Sequence, residues 1–105
     1  MSSPATTLPP DQLLDRLLAL LERLYRDTAD YRARRDEAQC WYDRGYADGM
    51  RAALGALGHG AALAARPLPE VEPLAPTERV TPWGRAHAHG VEVGGRETRD
   101  VLRGA

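Results

Sequence analysis

Lysine, asparagine, isoleucine and phenylalanine are missing altogether from the 105 residues of this chain. The gaps accompany an abundance of alanine, arginine, glycine and proline, the pattern of a GC-rich coding sequence, so arginine as the sole basic side chain says little about arginine chemistry. Cysteine is nearly absent too. Cys40 alone cannot close an intramolecular disulfide, which excludes an oxidatively stapled fold and fits a reducing, cytoplasmic compartment. No run of about 18 consecutive apolar residues occurs. Met1–Pro10 has neither a basic start nor an apolar stretch, so no signal peptide, membrane span or membrane partner is expected. A surplus of one charge is also lacking: the formal net charge is −1, against generic polyanion binding.

What is present is concentrated between Asp11 and Leu57. That stretch holds the large aliphatic clusters, all four tyrosines and Trp41, and no proline. Pro9, Pro10 and Asp11 compose a helix start, because proline is tolerated in a first turn and an acid there complements the helix dipole. Forward acid-to-base pairs at i,i+4, Glu22 with Arg26 and Asp30 with Arg34, support helix through the polar middle. At about 100° per residue, Leu13, Leu14, Leu17, Leu18, Leu20, Leu21, Leu24 and Tyr25 share one broad face. Tyr31, Tyr42, Tyr46, Gly49, Met50, Ala53, Leu54 and Leu57 continue it in phase. The pattern predicts an all-α chain with one long amphipathic helix over about residues 11–58, ending where Gly55, Gly58 and Gly60 cluster with His59. The period is nearer 3.6 than 3.5, which favours a nearly straight helix over a long left-handed coiled coil. An antiparallel helical hairpin broken near 27–30 is the alternative, since Asp and Thr are weak helix formers.

The flanks read differently. Residues 1–10 form a flexible leader, and 59–76 a Gly/Ala and then Pro-rich linker with extended, polyproline-like spacing. Residues 77–105 form a mostly disordered tail, too rich in glycine and charge to repay ordering by burial. Trp83 in Thr81-Pro82-Trp83-Gly84 is either a docking anchor in that tail or folds back on the helix.

A long helix with an apolar face is not stable alone in water, so something must cover it. The expected cover is a second copy, making a homo-oligomer, most simply a dimer. Its interface would comprise Leu13, Leu14, Leu17, Leu18, Leu21, Leu24, Tyr31, Gly45, Gly49, Ala53 and Leu57, with Gly45 and Gly49 forming a close crossing of the small-xxx-small type. Candidates for contact with another protein are Arg32, Arg35, Trp41, Tyr42, Tyr46, Met50 and Trp83. Arg32 and Arg35 interrupt the apolar face, and Trp41–Gly49 mixes aromatics with glycines. His59, His87 and His89 lack the cysteines or spaced carboxylates of a metal site. Cys40 has no neighbouring histidine, and no nucleophile–base pair, phosphate-cradling loop or paired-carboxylate cleft stands out. No catalytic, metal or cofactor site is expected. The function that fits is a small non-enzymatic cytoplasmic adaptor, regulator or assembly factor acting through helix-mediated oligomerisation and partner binding. The alternative is a nucleic-acid-associated accessory protein using Arg32, Arg34, Arg35 and Arg44.

Overall fold

A computed structural model describes residues 9–104, so the leader expected over 1–10 lies almost wholly outside the described residues. Among the described residues there are five α-helices: α1 (Pro10–Asp27), α2 (Ala38–Ala56), α3 (Gly60–Ala64), α4 (Pro76–Arg79) and α5 (Pro82–Gly104). The all-helical class is as the sequence predicts, but the single long helix is not formed. It breaks after Asp27, and the alternative hairpin is what α1 and α2 make. At the break the Thr28 hydroxyl and amide both donate to the Leu24 carbonyl, at 2.6 and 3.1 Å. The chain then tightens into a 3-10 turn at Tyr31–Ala33 before α2 begins. Thr28 illustrates why such residues end helices: its side chain competes with the backbone ladder for the same acceptor.

α1 runs antiparallel to α2. Leu18, Leu21 and Tyr25 pack on Ala47, Met50 and Leu54, and Leu14, Leu17, Leu24 and Leu102 pad the edges. The end of α2 follows its glycines. Gly58 takes a φ of 95°, its amide donates to the Gly55 carbonyl and that of His59 to Leu54, a Schellman closure of the last turn.

The irregular tail is the second expectation the structure corrects, because residues 82–104 are α5. Thr81 caps it, accepting the Gly84 amide at 3.0 Å, and Pro82 occupies the first turn. Glycine and charge read as disorder only while each glycine is counted as a missing side chain. Here the missing side chains let α5 lie parallel to α2 with the two backbones in contact. A Cβ at Gly45 or Gly49 would overlap the carbonyl oxygens of His87 and Val91, and one at Gly90 or Gly94 those of Tyr42 and Tyr46. The close crossing expected between copies at Gly45 and Gly49 is therefore made within the chain.

Parallel neighbours need a long return connection. The return runs through α3 and the extended segment 66–75, which is fastened along its length. Arg66 pairs with Glu22 on α1 at 2.9 Å, Arg51 on α2 donates to the Pro69 carbonyl, and Arg32 pairs with Glu72 at 3.2 Å and Glu78 at 2.7 Å. Leu74 is buried beside Tyr31, Cys40 and Trp41, with Trp83 and Ala86 against them. The proline-rich stretch is thus a strap and not a free linker. Glu78 also accepts the Ala75 amide, and this bond together with Arg32 holds its carboxyl below the usual range.

The glycine contact makes a sharp prediction for denaturant unfolding. Gly49→Ala has no room for its methyl group and is expected to cost at least about 3 kcal/mol. Gly55→Ala, on the same helix but exposed, is expected to gain roughly 0.5–1 kcal/mol from helix propensity. A Gly49→Ala protein as stable as its parent would refute the backbone contact.

Candidate functional site

Two features stand out once the helices are in place: a polar cluster buried where α1, α2 and α5 meet, and an apolar groove between α1 and α5.

The cluster is centred on Asp48. Its Oδ1 accepts the Tyr25 hydroxyl at 2.6 Å, and its Oδ2 lies 3.0 Å from Nε2 of His87, so one carboxylate joins all three long helices. Tyr31 stacks on the His87 ring at 6.5 Å between centres. The Arg44 guanidinium sits 4.6 Å from the Tyr25 ring centre and 4.7 Å from that of Tyr31, and donates to the Thr28 carbonyl at 3.3 Å. Burial, reinforced by the bond to Asp48, pushes the Tyr25 hydroxyl well above the usual tyrosine range, and burial does the same to Tyr31. Burial also pushes the Cys40 thiol up, away from nucleophilic character. Among the described residues, Tyr25 is the only hydroxyl or thiol hydrogen-bonded to Asp48 or His87. The arrangement therefore acts as a clasp, with one carboxylate engaged from two sides.

The groove lies between α1 and α5, with α2 as its floor. Leu17 and Leu20 line one wall, Tyr46 and Met50 the floor, and Glu97, Asp100 and Val101 the other wall. A separate hollow is lined by Pro10, Leu14, Leu57, His59, Leu102 and Arg103. Leu20, Val101 and Leu57 are 41%, 44% and 41% exposed. The Tyr46 hydroxyl donates to Glu97 at 2.7 Å, and its pKa is pushed up to about 12 by burial and then by that bond.

The residues singled out from the sequence divide accordingly. Leu18, Leu21, Tyr31, Gly45, Gly49 and Ala53 are buried inside the chain, whereas Leu13, Leu14, Leu17 and Leu24 remain half-buried and Leu57 exposed. Trp41 is 1% exposed, its indole N–H donating to the Arg34 carbonyl at 3.0 Å, and Met50 is equally covered. Tyr42, Tyr46 and Trp83 are half-buried, and Trp83 folds back to 6.4 Å from the Trp41 ring. Arg32 is held by Glu72 and Glu78, Arg34 by Asp30 and Glu37, Arg44 is buried, and Arg35 is exposed. Asp48 and His87 went unread as a pair. The periodicity of α5 bears on His87 alone: Gly84, His87, Gly90, Gly94 and Thr98 recur at helical spacing as small or polar positions, all buried. His87 and His89 point to different faces of that helix, with His89 exposed beside the Tyr42 ring. Among the described residues no three His, Cys, Asp or Glu side chains converge as metal ligands would, and no helix is long and apolar enough to cross a membrane.

The raised tyrosines give a pH dependence of defined sign. Above the ordinary tyrosine pKa of about 10 the unfolded chain releases protons that the native chain still holds, so stability falls as pH rises. Denaturation midpoints are expected to begin a shallow decline near the ordinary thiol pKa of about 8.5, from the buried Cys40, and to fall more steeply from about pH 10 through the Tyr46 value of about 12 and beyond. Tyr25→Phe is expected to lower neutral-pH stability by about 1–2 kcal/mol and to make the alkaline decline shallower. An unchanged alkaline slope in that variant would show that Tyr25 is not held protonated. No protein-family model matches this chain, and no curated protein or solved structure is significantly similar to it, so its site is defined by its own geometry.

Proposed function

We propose that this chain is a small non-enzymatic cytoplasmic adaptor or assembly factor that acts by self-association, two copies pairing through the groove between α1 and α5. The observation that carries the reading is the stripe Leu13, Leu17, Leu20 and Leu24. Its 4-3-4 spacing is that of a helix–helix seam, and its own chain leaves it half-covered, with Leu20 41% exposed. A two-fold pairing sets each copy's α1 in the other's groove, so that every contact is made twice.

Charge supports a second copy as the occupant. The α5 wall carries Glu97 and Asp100, while the outer edge of α1 carries exposed Arg16 and Arg23, the latter meeting Asp27 only at 3.8 Å. Exchange between copies brings the basic edge to the acidic wall. The arginines that would make a nucleic-acid surface support this reading over that alternative, because Arg32 and Arg34 are paired and Arg44 is buried.

Magnitude sets the expected strength. The still-wet surface of Leu13, Leu17, Leu20, Leu24 and Val101 offers roughly 1 kcal/mol per side chain from each copy. That gain is comparable with the entropic cost of association, so the dimer is expected to be weak and reversible. Light scattering across micromolar to millimolar concentrations should show a monomer–dimer shift. Leu20→Arg, at an exposed position, should remain monomeric with its melting temperature within a few degrees of the parent. Arg23→Glu should weaken the dimer, and Asp100→Arg in the same chain should restore it. A parent protein monomeric at every concentration would overturn the reading.

A further inference from the structure

Helix α5 carries a row of arginines that the fold leaves free. Arg85, His89, Glu92, Arg96, Arg99 and Arg103 follow one another in steps of three and four, so they share the side of α5 turned away from α2, and all six are exposed. From first to last the row spans about 27 Å. Among the described residues Arg85 and Arg99 have no carboxylate within ion-pair distance, and Arg96 meets Glu92 only at 3.9 Å. Arginines elsewhere are taken up internally: Arg32, Arg34 and Arg66 by carboxylates, Arg51 and Arg79 by carbonyls of the strap.

The composition of the row sets what it can hold. No tyrosine, tryptophan or large aliphatic side chain falls on this side of α5. It therefore lacks the anchor around which a protein interface is built, and the apolar side chains with which a helix enters a lipid surface. Attraction here comes from charge alone, which suits a partner whose own charges are regular and closely spaced. Glu92 and Asp100 share this side, but the four arginines outnumber them. The formal charge of −1 averages over the whole chain and does not describe this face. A nucleic-acid duplex carries one charge per ~1.7 Å of its axis and is rigid, as a row fixed along a helix is. The one ring in the row, that of His89, already meets the Tyr42 ring edge-on at 5.6 Å, so unpaired bases find no free stacking platform.

We propose that the outer side of α5 binds the phosphate backbone of double-stranded nucleic acid, with Arg85, Arg96, Arg99 and Arg103 each meeting a phosphate. Such contacts fix position without reading sequence. The row lies outside the α1–α5 groove, so this surface and self-association are independent.

The probe is a fluorescein-labelled DNA duplex of about 20 base pairs, followed by anisotropy; its dissociation constant is expected to be on the order of 10 µM at about 50 mM salt. The slope of log affinity against log salt should lie between about −3 and −4, and scrambling the sequence should change neither value. Arg96→Gln with Arg99→Gln should weaken binding at least about tenfold and make the slope shallower by about 2. Arg26→Gln with Arg35→Gln, the same loss of charge at exposed positions off α5, should keep binding within about threefold of the parent. Glu92→Gln should tighten binding at least about twofold, a gain that a loss of folding does not produce. A single strand of the same length, and phosphatidylserine vesicles at equal charge concentration, should both bind more weakly than the duplex. No anisotropy change at low salt, equal losses from the two double variants, or tighter binding to the single strand or to the vesicles would each overturn the proposal.

Discussion

Everything in this fold is arranged around the contact of two backbones. At Gly45, Gly49, Gly90 and Gly94 the peptide groups of α2 and α5 meet without intervening side chains. Glycine is costly inside a helix, by up to about 1 kcal/mol each relative to alanine. The return is dispersion contact along two whole helix surfaces and weak Cα–H···O bonds to facing carbonyls. Because the two helices are parallel, the chain must travel back along the bundle between them. The strap is the form that journey takes, and its prolines suit it, since an extended segment without internal hydrogen bonds loses little by having fewer amide donors. Its carbonyls and acids are served by Arg51 from α2 and Arg32 from the 3-10 turn, and its own Arg66 reaches back to Glu22 on α1.

The same close approach explains the polar cluster. Asp48 and His87 face each other across the α2–α5 interface, where glycines above and below leave no apolar side chains to fill the intervening space. A buried carboxylate is tolerable only when its oxygens are matched, and Tyr25 supplies the match on the side where α1 docks. One carboxylate thereby specifies the register of three helices at once. Unspecific leucine packing could not do that, because leucines tolerate sliding. The leucines of α1 supply burial, and Asp48 supplies position.

What the sequence made legible follows from which forces leave a periodic trace. The start of α1 at Pro9–Pro10, its leucine face and the end of α2 at Gly58 were all readable, because caps and amphipathic periods are local. The break at Thr28 was legible only as an alternative, because the weak helix formers at 27–30 marked it while the shared phase argued for continuity. Two helices that pack face to face each present an apolar side, and a turn between them can preserve the helical phase by coincidence, as the one through Tyr31 does. Helix α5 escaped for a different reason. Its buried face is Gly84, His87, Gly90, Val93, Gly94, Gly95 and Thr98, nearly without large hydrophobes, so a search for apolar periodicity passes over it. The paired Gly-xxx-Gly spacings at 45/49 and 90/94 were the trace it did leave, and they become informative only when taken as two halves of one contact. The Asp48–His87–Tyr25 cluster joins residues 23 and 39 positions apart, and no local pattern announces it.

The groove is the last consequence of the glycine contact. Helices separated by leucine or tyrosine side chains sit about 8–10 Å apart, and α1 stands off from α2 in that way. α5 instead rests directly on the α2 backbone. A helix held close on one flank and another held away on the other cannot both touch along their length, so α1 and α5 leave a trough over Tyr46 and Met50 that neither fills. Leu17, Leu20 and Val101 therefore remain at the surface as the residue of an incompatibility between two packing distances.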